Sequence, residues 1–216
     1  LQRKRICAVG EPKSRLLEDA LRILRTYRFM DQGVAGVWKP ERDLANALRS
    51  TRGMLSKIAA ERIWAELKRI LVGKNASIIL QQMADDGILR QIFNFDWMLD
   101  DYRISSLDLI EGDDVLDRLV ILFRDAPHTA CEDAARSLKL SNLEKKTLAF
   151  RHLCLGHIPE LFDSSLRIHR HVLGDWAQLH LRIEALFARS NRGSHSEDNI
   201  QERISRNRTL VPSKSS

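Results

Sequence analysis

The sequence predicts an all-α fold, and three observations lead to this prediction. Apolar residues recur at helical spacing along most of the 216 residues. No segment alternates apolar and polar residues as a half-buried strand does, and no Asn-Gly pair offers a tight hairpin. Glycine and proline fall mainly between the periodic segments, where helices are expected to end. We therefore expect helices joined by short turns.

Caps and breakers set the expected bounds of these helices. In the first half we expect helices from Ser14 to about Phe29, over 41–50, from Ser56 to Gly73, and from Asn75 to Gly87. In the second half we expect a helix from Val115 that stops by Pro127, helices that begin with the capping boxes Thr129–Glu132 and Ser141–Glu144, and helices that begin at Pro159 and Asp175. From Ser190 onward the chain is polar, so we expect frayed or disordered structure there.

The composition is that of a globular protein with a modest basic surplus. Lysine and arginine exceed aspartate and glutamate by 35 to 29, which gives a formal charge of +6 and a pI near 9.5. This surplus is compatible with a nucleic-acid partner. Three widely spaced cysteines indicate neither a disulfide framework nor a zinc site, and favour a reducing cytoplasm. No apolar run approaches the length of a membrane span, and no signal-peptide pattern opens the chain.

Charged residues gather on one side of the predicted first helix: Glu18, Asp19, Arg22 and Arg25. Asp19 and Arg22 are three apart and Glu18 and Arg22 four apart, so on one helix their side chains are neighbours. One interpretation is a solvated ion pair worth about 0.2–0.5 kcal/mol. The other is a rigid acceptor and donor that together recognise a ligand.

Four segments give this choice a context. They are Glu-Asp-x-x-Arg-Ile-Leu-Arg-x-x-Arg-Phe over 18–29, the lead-in over 4–12, the helix over 57–67 and the segment over 138–146. In this order they resemble segments of the bacterial-type (class II) tRNA nucleotidyltransferases, the CCA-adding enzymes, and of their poly(A) polymerase relatives. The resemblance is dense over residues 1–90 and thin beyond residue 150.

The resemblance implies a helical array in three parts, a neck, a body and a tail. The neck, with the nucleotide-selecting helix, would span 1–72, the RNA-binding-like body 73–125 and the tail 126–203, while 204–216 would be disordered. It also implies that the catalytic head of the family is missing. The chain would then hold no catalytic residue and be inactive alone. The head, joined in cis or supplied in trans, would bind Mg²⁺.

The resemblance assigns the choice of CTP and ATP to Asp19 and Arg22. Cytosine and adenine each present an acceptor nitrogen beside an amino donor, and uracil and guanine reverse this pattern. An arginine donor beside an aspartate acceptor leaves unpaired groups with the wrong bases, each costing about 1–3 kcal/mol when buried. Glu18 would orient Arg22, and Arg25 would support Asp19 or reach a phosphate.

A second motif and several side-chain pairs are less specific. Glu61 and Arg62 resemble the family's motif that braces the neck helices, and a surface ion pair remains the alternative. The pairs Asp85–Asp86, Asp100–Asp101 and Asp113–Asp114 are interpreted as caps and solvated turns. No metal site is predicted, because the sequence neighbours His152 and His157, and likewise His169 and His171, do not share a helix face.

The leading hypothesis is the nucleotide-selecting and tRNA-binding portion of a CCA-adding enzyme, which adds C and/or A to a tRNA 3′ end. Its partner would be tRNA or another RNA 3′ end, in the cytoplasm. The alternatives are a non-catalytic helical RNA-binding or scaffold protein derived from the family, and a poly(A) polymerase fragment. The basic stretches 167–171 and 182–192 would contact RNA phosphates or form solvated helix faces.

Overall fold

A computed structural model of the protein describes residues 5–33, 36–95, 106–108, 110, 114–189 and 197–210. Within these ranges the chain is helical apart from turns and two short strands, β1 (Arg5–Ile6) and β2 (Lys39–Pro40), which pair in parallel. The predicted all-α fold is confirmed. None of the described helices is both long and apolar enough to cross a membrane.

The described helices are numbered in chain order. In the first half they are α1 (Pro12–Glu18), α2 (Leu21–Met30), α3 (Arg42–Thr51), α4 (Ala60–Leu71), α5 (Ala76–Asp85) and α6 (Ile88–Phe93). A 3-10 helix, Arg52–Lys57, follows α3 directly. Further along they are α7 (Val115–Leu122), α8 (His128–Ser137), α9 (Asn142–Cys154), α10 (Asp163–Leu173), α11 (Trp176–Arg189) and α12 (Glu197–Thr209).

Two predicted N-caps in the first half are wrong. Glu11, rather than Ser14, caps α1, since its carboxylate accepts the backbone N–H of Ser14. Ser56 donates its hydroxyl to the Gly53 carbonyl inside the 3-10 helix. The long helix α4 therefore begins only at Ala60, without a side-chain cap.

Of the two capping boxes predicted in the second half, one is wrong and one is confirmed. The capping box at Thr129 is wrong, because Thr129 already lies within α8, which follows Pro127. The box at Ser141 is confirmed: its N–H donates to Glu144 Oε2 at 2.7 Å, and the Glu144 N–H donates to Ser141 Oγ at 3.2 Å. The helix expected at Pro159 begins later, as α10.

The disorder expected over 204–216 is wrong for residues 204–209, which lie in α12. Ile200 and Ile204 of α12 pack in one buried cluster with Leu181 and Ala185 of α11. This tertiary packing stabilises a helix that its polar composition does not predict. Residues 211–216 lie outside the described residues, as does Gly193.

Contacts divide the chain into two compact units, Leu1–His152 and Leu153–Ser216. In the first unit α2 packs against α4 and α5, and α1 packs against α3. In the second unit α11 packs against both α10 and α12. The predicted boundaries at 72 and 125 fall inside the first unit, and the division into neck, body and tail stays a prediction.

Candidate functional site

The helix is interrupted between α1 and α2, within the charged segment that the sequence singles out. Asp19 adopts an extended conformation with φ −146° and ψ 99°, and its Oδ1 accepts the backbone N–H of Leu21 at 3.1 Å. The short side chain of an aspartate can hydrogen-bond to nearby backbone N–H groups, which interrupts one helix and favours the start of the next. The single predicted helix is therefore wrong, and Asp19 and Arg22 are not neighbours on one helix face.

Arg22 is nevertheless held by the carboxylate that its spacing indicates. Its Nη1 donates to Glu18 Oε2 and to the Arg15 carbonyl, at 3.0 Å in both cases. Arg15 Nη1 also donates to Glu18, at 2.7 Å. These charge-assisted bonds fix one end of the Arg22 guanidinium at the start of α2.

Glu66 of α4 binds two arginines of α2. It was not among the predicted site residues. Its side chain is 5% exposed, and it accepts Arg28 Nε at 2.8 Å and Arg25 Nε at 3.3 Å. Arg69 Nη1 lies 3.7 Å away. Arg25 is thus bound to Glu66 rather than to Asp19. Three guanidinium groups around one carboxylate leave a surplus of positive charge.

A cavity of about 430 Å³ opens beside this cluster. Among the described residues that line it, only Glu66 is acidic, and the basic ones are Arg15, Arg22, Arg25, Arg28 and Arg69. Leu16, Phe29 and Leu44 contribute to an apolar part of the wall. Such a cavity suits an anion that also carries a flat apolar group. Two of the predicted nucleotide-binding residues, Arg22 and Arg25, line it, whereas Glu18 and Asp19 do not.

Glu61 and Arg62 contact residues distant in sequence. Lys139 Nζ donates to Glu61 at 2.8 Å, and this hydrogen bond lowers the pKa of the Glu61 carboxyl below its ordinary value. Arg62 Nη2 lies 3.7 Å from Asp19 Oδ1. The side chains of Glu61 and Lys139 are both well exposed, so this ion pair contributes little to stability. Their bracing role stays a prediction.

The interpretation of Asp86 as a solvated turn residue is wrong. Its side chain is buried and accepts hydrogen bonds from Tyr27, Arg49 and Gln82. Asp114, by contrast, caps α7 through the Leu116 N–H, as interpreted. The carboxylates at 100, 101 and 113 lie outside the described residues.

The histidines pair differently from their order in the sequence. His128 Nδ1 lies 3.1 Å from His152 Nδ1, and His169 Nε2 lies 3.0 Å from His180 Nδ1. Burial lowers the pKa of His152 and brings that of His169 to about 4. Within the described part of the chain, no three His, Cys, Asp or Glu side chains lie together as metal ligands would.

Residues 39–95 match the protein family described as "Probable RNA and SrmB- binding site of polymerase A". A segment of 85 residues is 44% identical to the CCA-adding enzyme of Ligilactobacillus salivarius (strain UCC118), covering 39% of this chain and 20% of that enzyme. The matched segments are thus similar to parts of the class II tRNA nucleotidyltransferases. The chain spans about a fifth of the length of the curated nucleotidyltransferases it matches.

Two solved structures extend the likeness in fold to nearly the whole chain. "Structure of tRNA-processing enzyme with CTP" has a TM-score of 0.66 at 17% identity and covers 99% of this chain and 60% of that one. "Thermotoga maritima CCA-adding enzyme complexed with tRNA_CCA" has a TM-score of 0.56 at 16% identity and covers 95% of this chain and 48% of that one. At such identities the likeness shows a shared helical fold and no more.

The signal for Glu66 was present in the sequence. Glu66 lies three residues after Ile63 and four before Ile70, on the apolar stripe of α4. A carboxylate at such a position is buried and needs cationic partners. No comparable signal marks Asp86, because its donors Tyr27 and Arg49 lie 59 and 37 residues away in the chain.

Proposed function

We propose that this chain is the nucleotide-selecting and tRNA-binding portion of a CCA-adding tRNA nucleotidyltransferase. The observation that carries the proposal is the arginine-lined cavity beside α2, next to the segment that resembles the nucleotide-selecting motif. The matched RNA-binding segment 39–95 and the likeness to CCA-adding enzymes support it. The products would be C and A residues joined to a tRNA 3′ end.

Arg22 and Asp19 choose the base in this proposal. Arg22 uses Nη1 for Glu18 and Arg15, and its Nη2 donates to none of the described residues. Asp19 uses Oδ1 for Leu21, and its Oδ2 accepts no hydrogen bond within the described ranges. A free donor and a free acceptor match the acceptor nitrogen and amino group of cytosine or adenine. With uracil or guanine, the Arg22 donor would face an N–H donor and the Asp19 acceptor would face a carbonyl acceptor. Each unpaired group would cost about 1–3 kcal/mol.

The arginine surplus around Glu66 holds the phosphates. One carboxylate cannot neutralise Arg25, Arg28 and Arg69 together, so the cavity favours a polyanion. Guanidinium groups are suited to phosphate oxygens because they donate two parallel hydrogen bonds. A nucleoside triphosphate would place its charge here and its base towards Arg22 and Asp19.

The reaction itself is assigned to a head that is not part of this sequence. The Mg²⁺ that the family implies does not fit the described residues, which offer no set of three metal-ligating side chains. No catalytic step is therefore derived from this chain. We expect the chain to be inactive alone and to act with a head in cis or in trans, in a reducing cytoplasm.

The test compares nucleotide choice in the full-length protein. Arg22→Ala and Asp19→Ala should each reduce the preference for CTP over UTP by about tenfold or more, because one matched hydrogen bond is lost. Arg42→Ala, an exposed arginine at the start of α3, is the matched control. Incorporation of labelled CTP and UTP into tRNA measures the ratio. An unchanged ratio in both variants would reject the assignment of these residues.

A second candidate function rests on the RNA-binding match alone. Residues 39–95 match the RNA-binding family description, while the described residues hold no catalytic carboxylate cluster. A non-catalytic RNA-binding or scaffold protein of this family would bind tRNA without nucleotide addition. The full-length protein decides: RNA binding without incorporation of CTP or ATP would establish this alternative.

A further inference from the structure

Asp86 is a buried carboxylate for which the proposed function has no use. It lies directly after α5 and is 5% exposed. Its Oδ2 accepts the Tyr27 hydroxyl at 2.7 Å and the Gln82 amide at 3.0 Å. Its Oδ1 accepts Arg49 Nη1 at 3.0 Å. A buried carboxylate that receives three donors is an organising centre, since losing any donor leaves charge without a partner.

The three donors come from three helices. Tyr27 belongs to α2, Arg49 to α3 and Gln82 to α5, so one carboxylate joins all three. Tyr27 is fully buried. Arg49 and Asp86 both lie in the segment 39–95 that matches the RNA-binding family. Asp86 therefore connects the helix that carries Arg22 to the RNA-binding segment.

The helix α2 is held on another face by α4. Arg28 is bound to Glu66, and Tyr27, one residue earlier, points about 100° away around the helix. Two buried carboxylates on two faces fix the rotation of α2 about its axis. Because Arg22 lies on the same helix, five residues before Tyr27, this rotation also sets the direction of its guanidinium.

We propose that Asp86 is a positioning residue for nucleotide choice, which acts through Tyr27 to fix the rotation of α2 and so the direction in which Arg22 presents its donors. This inference rests on the proposed function. It differs from that function in assigning part of the base selectivity to a carboxylate that does not line the cavity.

The Tyr27 hydroxyl is suited to this task at neutral pH. Burial, together with the nearby Asp86 charge, raises the pKa of Tyr27 well above its ordinary value. The hydroxyl therefore keeps its proton and remains a donor. Tyr27→Phe removes this donor while it keeps the ring, so the core around α2 stays filled.

The experiment measures kcat/KM for CTP and for UTP with tRNA and the full-length protein. Asp86→Asn and Tyr27→Phe should each lower the CTP-to-UTP preference by about fivefold to tenfold, as expected for one lost buried hydrogen bond. The double variant should lose little more than either single variant, because both break the same contact. Asp85→Asn is the matched control, since this exposed neighbour bonds only Gln81 among the described residues and should keep the preference.

Each outcome decides the matter. A merely structural role would lower kcat/KM for CTP and UTP by the same factor, and this result, or an unchanged preference in both single variants, overturns the inference. If Asp86→Asn does not fold, Tyr27→Phe alone decides. A wild-type protein that adds no nucleotide overturns the proposed function as well, and this is seen before any variant is compared.

Discussion

Glu66 lies on the apolar stripe of α4, and its side chain is 5% exposed. A carboxylate at that depth is stable only with cationic partners, and α2 supplies Arg25 and Arg28. In return, the carboxylate keeps these guanidinium groups together at the cavity instead of letting them spread into solvent. One side chain therefore determines both the packing of α4 on α2 and the charge of the cavity.

We expect Glu66→Gln to lower the free energy of unfolding by about 1–3 kcal/mol, because the arginines lose their buried acceptor. Urea denaturation of the chain, followed by far-UV circular dichroism, measures the change. Glu61→Gln is the control, since its exposed ion pair with Lys139 should contribute less than about 1 kcal/mol. Equal losses in the two variants would contradict the role given to Glu66.

At the scale of elements, the contact between α2 and α5 depends on a glycine. Asp31, at the end of α2, accepts the backbone N–H of Lys74 at 3.0 Å and that of Asn75 at 2.9 Å. Asn75 stands at the N-cap position of α5 as predicted, but its side-chain amide donates to Asp31 at 2.7 Å and makes no capping hydrogen bond to α5. A Cβ atom on Gly73 would lie 2.5 Å from Asp31 Oδ2.

We expect Gly73→Ala to destabilise the protein by about 1–3 kcal/mol, since the methyl group displaces the carboxylate that accepts the N–H groups of Lys74 and Asn75 just before α5. Thermal or urea unfolding measures the loss. Gly53→Ala is the control, because a Cβ there meets nothing within 4 Å. Combining Asp31→Ala with Gly73→Ala should add little, and full additivity would argue against this mechanism.

A second prediction at this scale concerns α10 and α11. Burial, aided by the charge of His180, brings the pKa of His169 to about 4, against 6.5 in an unfolded chain. Between these values the unfolded state binds more protons, so stability is complete above pH 6.5 and falls as the pH drops towards 4. On the other side of the pair, His180 Nε2 lies 2.9 Å from the Cys154 carbonyl oxygen and 3.7 Å from Glu184.

Hydrogen exchange of α10 and α11 at a series of pH values checks this dependence. We expect protection in the second unit to fall between about pH 6.5 and 4, and His169→Gln to flatten the decline. His171→Gln, an exposed histidine on the same helix, should leave the decline unchanged. A decline confined to pH values below about 4.5 would point to carboxylate protonation instead and would contradict the role given to His169.

At the scale of the whole molecule, the relevant property is the formal charge of +6. If the chain holds tRNA through phosphates, binding releases counterions and weakens with salt. We expect the Kd for tRNA to rise by about tenfold or more when salt increases from about 50 to 200 mM. Fluorescence anisotropy with labelled tRNA measures it, with a DNA duplex of equal charge as the control. Salt-independent binding would exclude this mode of recognition.

Local patterns predicted the features that depend on neighbours in the chain. Helical periodicity predicted the all-α fold, the spacing of Glu18 and Arg22 predicted their contact, and the Ser141–Glu144 box formed as expected. Where a local rule failed, another contact was stronger. Asp19 ended a helix because its carboxylate bonds the backbone, and α12 formed because Ile200 and Ile204 are buried.

The sequence by itself determined the all-α fold class, the basic charge and the position of the motif around α2, because these depend on residue types a few positions apart. Only the tertiary structure placed Glu66 against Arg25 and Arg28, and Asp86 against Tyr27 and Arg49. These partners are separated by 37 to 59 residues. No helical period reaches that far, so the charge of the cavity and the rotation of α2 are decided when the helices pack.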